Sequence, residues 1–372
     1  MKIAYTISGL FNTGGMENIL IQKANYLADI YGYDVTIITT DQKNRDVFFP
    51  LSPKVKLVDL SINYCDYIGT KMWLYHRARL KRIHRRRLKE HLSSGGYDIC
   101  ISLMDFDFDF LHKIKDRSKK LLEYHFSRYS KALSTNHPIL KIIQKCRTSL
   151  WKSSIKRYDR FIVLTDEDKT QWGALPNIEV IPNFINLPPA YIASQDSKKI
   201  ISVGRLSYQK GFDMLLQAWK IAQPQIPDWE LNIFGGGDKT QYSDYIKQNG
   251  LKNITLHDPT SSITDEYRRS AFYVMSSRYE GLPLVLLEAM SHGLPIVSFK
   301  CPCGPTDILK EDFGILVPRD NVIELADAIV RCAENKEWRK QASITAVRES
   351  GKYSKDEIMK RWNDLFHSLL NN

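Results

Sequence analysis

The sequence predicts an α/β protein made of two parallel-sheet domains, and three observations carry that expectation. Short apolar runs alternate with helix-length segments from the first residues onward, the pattern of a parallel sheet covered by helices. The alternation stops at residues 186–197, where Pro188, Pro189, Gln195 and Ser197 lie in a stretch without periodicity, and then restarts. The 372 residues suffice for two domains of ordinary size.

In the first half the strand candidates are KIAYTI, DVTIITT, KVKLVDL, YDICISL, KKLLEY and RFIVLT. Ser8 to Gly15 reads as a loop and Met16 to Ile30 as a helix. The second half gives KKIISVG, a helix from Gly211, ELNIFG, a helix near Gln241, NITL, FYVMS, a helix from Pro283, PIVSF and GILV. A final helix, Lys355 to Leu370, sets Ile358, Trp362, Leu365, Phe366 and Leu369 at helical spacing. There is no internal repeat.

Hydrophobic residues make up 43% of the chain, ordinary for a globular protein. No apolar run reaches the length of a membrane-spanning helix, and MKIAYTISGLF reads as a first strand, not a leader. Cys65, Cys100, Cys146, Cys301, Cys303 and Cys332 lack zinc-site spacing, so reduced thiols in a cytoplasmic protein are expected. The net charge of +11 is unevenly placed. Residues 1–185 hold 30 Lys and Arg against 19 Asp and Glu, whereas residues 186–372 hold 23 of each. A basic first half fits nucleic acid, an anionic membrane surface or an anionic substrate.

The most informative stretch is R-Y-E-G-L-P-L-V-L-L-E-A-M-S-H-G, Arg278 to Gly293. Pro283 suits the first helical position, and Gly293 with Pro295 suits the stop. Leu284, Val285, Leu286, Leu287, Ala289 and Met290 are apolar on every face, as in a buried helix. Glu288 inside it, and Glu280 just ahead of it, then need polar company. One reading is a core helix whose acid meets a neighbouring Arg. The other is a site wall whose free N–H groups, Gly281 to Leu284, face an anionic or hydroxyl-rich ligand.

Further unusual residues fall after strands, where ligands of doubly wound sheets bind. Gly14-Gly15 opens the first helix, Gly204-Arg205 and Lys210-Gly211 bracket the first loop of the second half, and Gly235-Gly236-Gly237 follows the next strand. Arg205 and Lys210 suit a diphosphate clamp or two solvated cations. The glycines suit close approach of backbone to ligand or plain turns.

Taken together, G-G-M-E (14–17), I-P-N-F-I-N (181–186), S-V-G-R-L-S-Y-Q-K-G-F-D (202–213), N-I-F-G-G-G-D (232–238) and E-G-L-P-L-V-L-L-E (280–288) resemble retaining glycosyltransferases of family 4. The last matches that family's E-x7-E element. The resemblance implies the GT-B architecture, two Rossmann-like domains facing each other across a cleft. Residues 1–187, with the returning helix 355–372, would bind acceptor, and residues 188–354 would bind a nucleotide-sugar donor. It further implies Arg205 and Lys210 on the diphosphate, Glu288 on the ribose, Glu280 and the Gly281, Leu282, Pro283, Leu284 backbone on the donor sugar, and Gly15 approaching the diphosphate from across the cleft. The base would lie near His257 to Thr260, where H-D-P replaces the family's usual glycine. His125 matches a family histidine near the reacting carbon; the plainer reading is a loop histidine bonded to backbone. No metal or other cofactor is implied, the UDP-sugar being a substrate. The segment C-P-C-G-P-T-D-I-L (301–309) looks like that of a subgroup using UDP-hexoses and UDP-N-acetylhexosamines in surface-glycan assembly, such as O-antigen, capsule or exopolysaccharide.

Met104 to Phe110, M-D-F-D-F-D-F, contains the D-x-D of a metal-dependent glycosyltransferase fold. Every other motif supports the metal-free one, which leaves a loop or strand edge with one apolar face, or one Asp in contact with the acceptor. Lys71 to His91 holds nine Lys and Arg and one acid. Ile139 to Arg157 is a second cationic helix candidate, with Ile142, Ile143, Leu150, Trp151 and Ile155. Such helices suit a membrane interface or a solvated face; no nucleic-acid recognition motif accompanies them. The expectation is a peripheral enzyme on the cytoplasmic face, extending a polyprenyl-diphosphate-linked glycan. The competing readings are a nucleotide-sugar epimerase or hydrolase on the same fold, and a noncatalytic partner subunit.

Overall fold

The computed structural model describes residues 1–70, 72–128, 138–188, 193–194 and 196–371. Lys71 of the basic run, and Pro189 and Gln195 of the connecting stretch, lie outside the described residues.

The first half runs β1 (Lys2–Ile7), α1 (Gly15–Asp29), β2 (Asp34–Thr39), β3 (Lys56–Asp59), α2 (Trp73–Gly95), β4 (Ile99–Ser102), β5 (Lys119–Glu123), α3 (Pro138–Ile155), β6 (Arg160–Val163), α4 (Asp166–Trp172) and β7 (Ile178–Val180). Its strands form one sheet in the order β3-β2-β1-β4-β5-β6-β7, parallel throughout. β7 is absent from the sequence expectation, because three residues are too few to display a period.

The second half runs β8 (Lys199–Val203), α5 (Phe212–Ala222), β9 (Glu230–Phe234), α6 (Thr240–Gln248), β10 (Ile254–His257), α7 (Ile263–Arg269), β11 (Phe272–Met275), α8 (Leu284–Ser291), β12 (Ile296–Phe299), α9 (Pro305–Ile308), β13 (Gly314–Val317), α10 (Val322–Glu334), α11 (Lys336–Ser350) and α12 (Lys355–Leu370). Its sheet, β10-β9-β8-β11-β12-β13, repeats the topology of the first. Strand order reverses beside β1 and beside β8, which opens a crevice at the carboxyl ends of both sheets.

The central strands are buried on both faces, so they read as continuous apolar runs rather than as alternation. α12 does not pack on the sheet it follows. Its Ile358, Met359, Trp362, Leu365, Phe366 and Leu369 join the core of the first sheet beside Ile3, Tyr5 and Leu20. The two passages between the halves touch: the Ile185 N–H donates to the Tyr353 carbonyl at 2.9 Å, and Ile185 bridges Ser354.

α8 differs from expectation in two ways. Pro283 caps it, with extended ψ of 93°, and the helix begins at Leu284. Leu286, Leu287, Ala289 and Met290 are buried, but Leu284, Val285 and Glu288 are only half-buried. One face is therefore open to something other than core.

Candidate active site

The wall from the second half is set by the loop after β8 and the approach to α8. Tyr208–Lys210 form a 3-10 turn that ends on Gly211 at φ +64°. A Cβ on Gly211 would sit 2.2 Å from the Ser276 carbonyl oxygen, so only glycine closes this turn. Lys210 Nζ then lies 2.8 Å from Glu280 Oε1, and Gln209 Nε2 donates to Glu280 Oε2 at 3.3 Å. Arg278 grips Asp213 with both guanidinium ends, at 2.9 and 2.6 Å, which fixes the segment ahead of Glu280 to α5. The two cations expected to act as a clamp are thus handled differently. Arg205 is exposed and lines a cavity of about 600 Å³ with Thr13, Gly236, Gly237 and Tyr279, while the Lys210 ammonium is turned onto Glu280.

Gly235 sits so close to Gly204 that a Cβ would fall 1.8 Å from the Gly204 oxygen; it serves packing, and Gly236 faces the cavity. Glu288 lines a second cavity, of about 220 Å³, with Tyr267, Thr264, Gln22 and Asn186. Its partner is the Tyr267 hydroxyl, which donates to Oε2 at 3.1 Å, and not an Arg. Burial raises the Glu288 pKa, against the Tyr267 bond and the Lys210 charge.

The wall from the first half rests on a buried cluster. Glu123, the last residue of β5, is 1% exposed and lies 2.5 Å from Lys23 Nζ, itself 2% exposed on α1. Lys23 in turn stacks 3.9 Å over the ring of Trp362 from α12. His125 Nε2 lies 3.0 Å from the same Glu123 oxygen, off the hydrogen-bond axis. Glu123 Oε2 and both His125 ring nitrogens are buried without an aligned hydrogen-bond partner among the described residues. Burial pushes the Glu123 pKa up, but Lys23 and His125 outweigh it and bring it down to about 2. The carboxylate is therefore charged whenever the protein is folded near neutrality. The plainer expectation, a histidine tied to backbone, does not describe this arrangement. Lys23 and Glu123 escaped the sequence reading; the available signal was one charged residue in the apolar face of α1 and another at the end of an apolar strand.

The two walls meet. A Cβ on Gly281 would come 2.6 Å from the His125 carbonyl oxygen, so this glycine permits the contact. A Cβ on Gly15 would meet nothing within 4 Å, so packing does not require glycine there. A Cβ on Gly14 would first meet the Glu17 carboxylate, at 2.1 Å. The 301–309 segment also joins the halves. Glu167 Oε2 accepts from the Cys303 N–H and the Thr306 hydroxyl, each at 3.0 Å, and the Glu167 N–H donates to Asp307 at 3.1 Å.

His257 ends β10, stacks on Phe234 with centroids 4.3 Å apart, and contacts Asn232 Oδ1 at 2.8 Å, so its ring is engaged within the sheet. The acids of the D-x-D stretch are scattered over separate partners. Asp107 accepts from Thr6 and Ser102 at 2.6 and 2.7 Å, and Asp109 pairs with Lys81. On α3 the apolar stripe is not a core face: Ile155 is buried, but Ile142, Ile143 and Leu150 are 63%, 52% and 74% exposed.

Two facing parallel sheets with a shared crevice and a returning last helix define a GT-B glycosyltransferase architecture. Two sequence-family models match in tandem, "Glycosyltransferase Family 4" over residues 13–188 and "Glycosyl transferases group 1" over residues 185–348. The chain thus carries both glycosyltransferase family domains, which together span residues 13–348. It is 26% identical over 381 residues to the amylovoran biosynthesis glycosyltransferase AmsD of Erwinia amylovora, covering 98% of this chain and 99% of that one. It superposes on sucrose-phosphate synthase from Thermosynechococcus elongatus with a TM-score of 0.82 at 19% identity, over 100% and 99% of the chains. It superposes on a TarM variant of S. aureus, crystallised with UDP and α-GlcNAc-glycerol, with a TM-score of 0.76 at 16% identity over 98% and 99%.

Proposed function

We propose that the chain transfers a hexose or N-acetylhexosamine from a UDP-sugar, with retention of configuration, to a lipid-linked glycan during surface polysaccharide assembly. The observation that carries this reading is the environment of the E-x7-E element. Glu280 is held by Lys210 at the cleft, and Glu288 stands half-buried in a polar cavity with a hydroxyl partner.

In this reading the ribose hydroxyls donate to Glu288 beside Tyr267. The diphosphate lies along Arg205 and draws the Lys210 ammonium away from Glu280, which frees that carboxylate for the donor sugar's hydroxyls. Both cations then stabilise charge on the departing UDP, with backbone N–H groups at the start of α8 assisting. The acceptor hydroxyl attacks from the face that UDP leaves, and a β-phosphate oxygen takes its proton. His125, oriented by Glu123, faces the reacting carbon. No covalent intermediate on the protein is needed. Mixing purified protein with individual UDP-sugars, with and without glycan acceptor, and following UDP release tests the reading. Acceptor-dependent release is expected; release without acceptor would replace transfer by hydrolysis, and none with any UDP-sugar would overturn the donor class.

The same reading places the enzyme on an anionic membrane through α2 and α3. Exposed Ile139, Ile142, Ile143 and Leu150 stand among the cations of α3, the composition of an interfacial helix. Among the described residues no helix is long and apolar enough to cross a membrane. Flotation with phosphatidylglycerol vesicles at low salt checks this; absence of co-flotation would remove it.

A further inference from the structure

The first half contains a cavity that none of the donor-site residues line. It measures about 260 Å³ and lies between α2, α3 and the loop after β4. That volume is just below the roughly 300 Å³ at which ligand pockets usually begin, so it suits one ring and a substituent rather than an oligosaccharide.

Its lining has two parts. Trp73, Phe106, Phe108 and Trp151 present aromatic surface. Phe108 and Trp151 brace each other edge to face, 5.3 Å apart, and Phe106 stacks on buried Tyr64 at 4.1 Å. Braced rings offer flat apolar faces that do not collapse into the space. The polar part is unbalanced. Lys81 is neutralised by Asp109, but Arg77 and Arg147 are exposed on the rim and form no ion pair with an acid among the described residues. Arg147 stands 5.6 Å over the Trp151 ring. Planar guanidinium groups without a carboxylate match phosphate or carboxylate oxygens. Asp105, which also lines the cavity and is hydrogen-bonded to Ser8 of the β1–α1 loop, offers an acceptor for hydroxyls; burial and the nearby Asp107 raise its pKa to about 6. That loop ends at Gly14, just ahead of Gly15 at the start of α1, so the cavity opens on the same edge of the sheet as the transfer site.

We infer that this cavity is an acceptor subsite for a phosphorylated saccharide, its ring on the aromatic faces and its phosphate on Arg77 and Arg147. The role as acceptor rests on the transferase reading, whereas the ligand chemistry does not. A neutral sugar would leave both guanidinium groups unanswered, and a bare phosphate would leave the rings unused.

Calorimetry on the full chain, with the donor site saturated by UDP, tests it. Glucose 1-phosphate is the probe, with glucose, inorganic phosphate and phosphatidylglycerol vesicles as comparison arms. Glucose 1-phosphate should bind at least tenfold more tightly than glucose or phosphate alone. The Arg77→Ala/Arg147→Ala variant, altered only at exposed positions, should lose at least tenfold of that affinity at constant UDP affinity. Trp151→Ala should weaken glucose 1-phosphate without changing the response to phosphate. Equal binding of glucose and glucose 1-phosphate would overturn the anionic class, and so would an unaffected double-Arg variant. If phosphate alone binds as tightly, the saccharide is overturned. If only vesicles bind, and binding falls with the two arginines, the site reads a lipid surface and the inference fails. Failure of UDP itself to bind would instead strike the donor reading and leave the glucose 1-phosphate comparison intact.

Discussion

Lys23–Glu123 and Lys210–Glu280 are the same two side-chain types at similar separations, 2.5 and 2.8 Å, in opposite surroundings. The first pair is 2% and 1% exposed and roofed by Trp362. The second is 17% and 7% exposed, next to Gln209 and Tyr279, which line the cavity of about 600 Å³. A buried pair cannot exchange partners without leaving a naked charge in a dry interior. A pair at a cleft can, because under the proposed function a diphosphate would offer the lysine a second anion. The first therefore holds a shape, and under the proposed function the second would be free to move with the reaction.

The contrast is broken most forcefully at the buried pair. Lys23→Met should cost roughly 3–5 kcal/mol of stability, because it strands Glu123, as read from urea midpoints. Lys23→Met/Glu123→Leu should regain most of that stability. Transfer should stay at least tenfold low, since His125 has lost its orienting carboxylate. Full activity in the double variant would make the cluster merely structural. Lys210→Ala should destabilise less than Lys23→Met, because the Lys210 side chain keeps 17% exposure, while kcat falls on the order of 100-fold, as when one oxyanion donor is removed. Glu288→Gln should raise the donor KM about tenfold with a smaller effect on kcat, measured by UDP release; an unchanged KM would remove it from the ribose.

A subtler effect lies at the seam between the halves. Burial raises the Asp168 pKa to about 6, from an unfolded value near 3.9. A raised carboxylate supports the fold fully below the unfolded value, and that support is lost as pH rises through about 6. Wild type should thus lose up to ~3 kcal/mol of relative stability between pH 4 and 7 that Asp168→Asn does not lose. Parallel pH profiles for the two proteins would refute this.

The fold was legible because its signals are local: apolar runs, the proline-bearing break before Lys198, and the helical spacing in Lys355–Leu370. The wall from the second half was legible because Glu280 and Glu288 lie on one short segment whose spacing can be read directly. Lys23 and Glu123 were not, since 100 positions separate them and only the folded sheet joins α1 to the end of β5. The same holds for Glu167, whose partners Cys303 and Thr306 come from the other half. The cavity beside α2 needed four segments to come together, and no one of them announces it.

The aromatic roof over Lys23 also sets a schedule. Trp362 is synthesised almost a full chain length after Lys23, on the order of tens of seconds later at ribosomal rates of roughly 5–20 residues per second. Until α12 emerges and docks, the first sheet carries a lysine whose pocket lacks its lid. The first half thus cannot finish its own interior, and the cluster of Lys23, Glu123 and His125 is closed by the last helix rather than by the first domain.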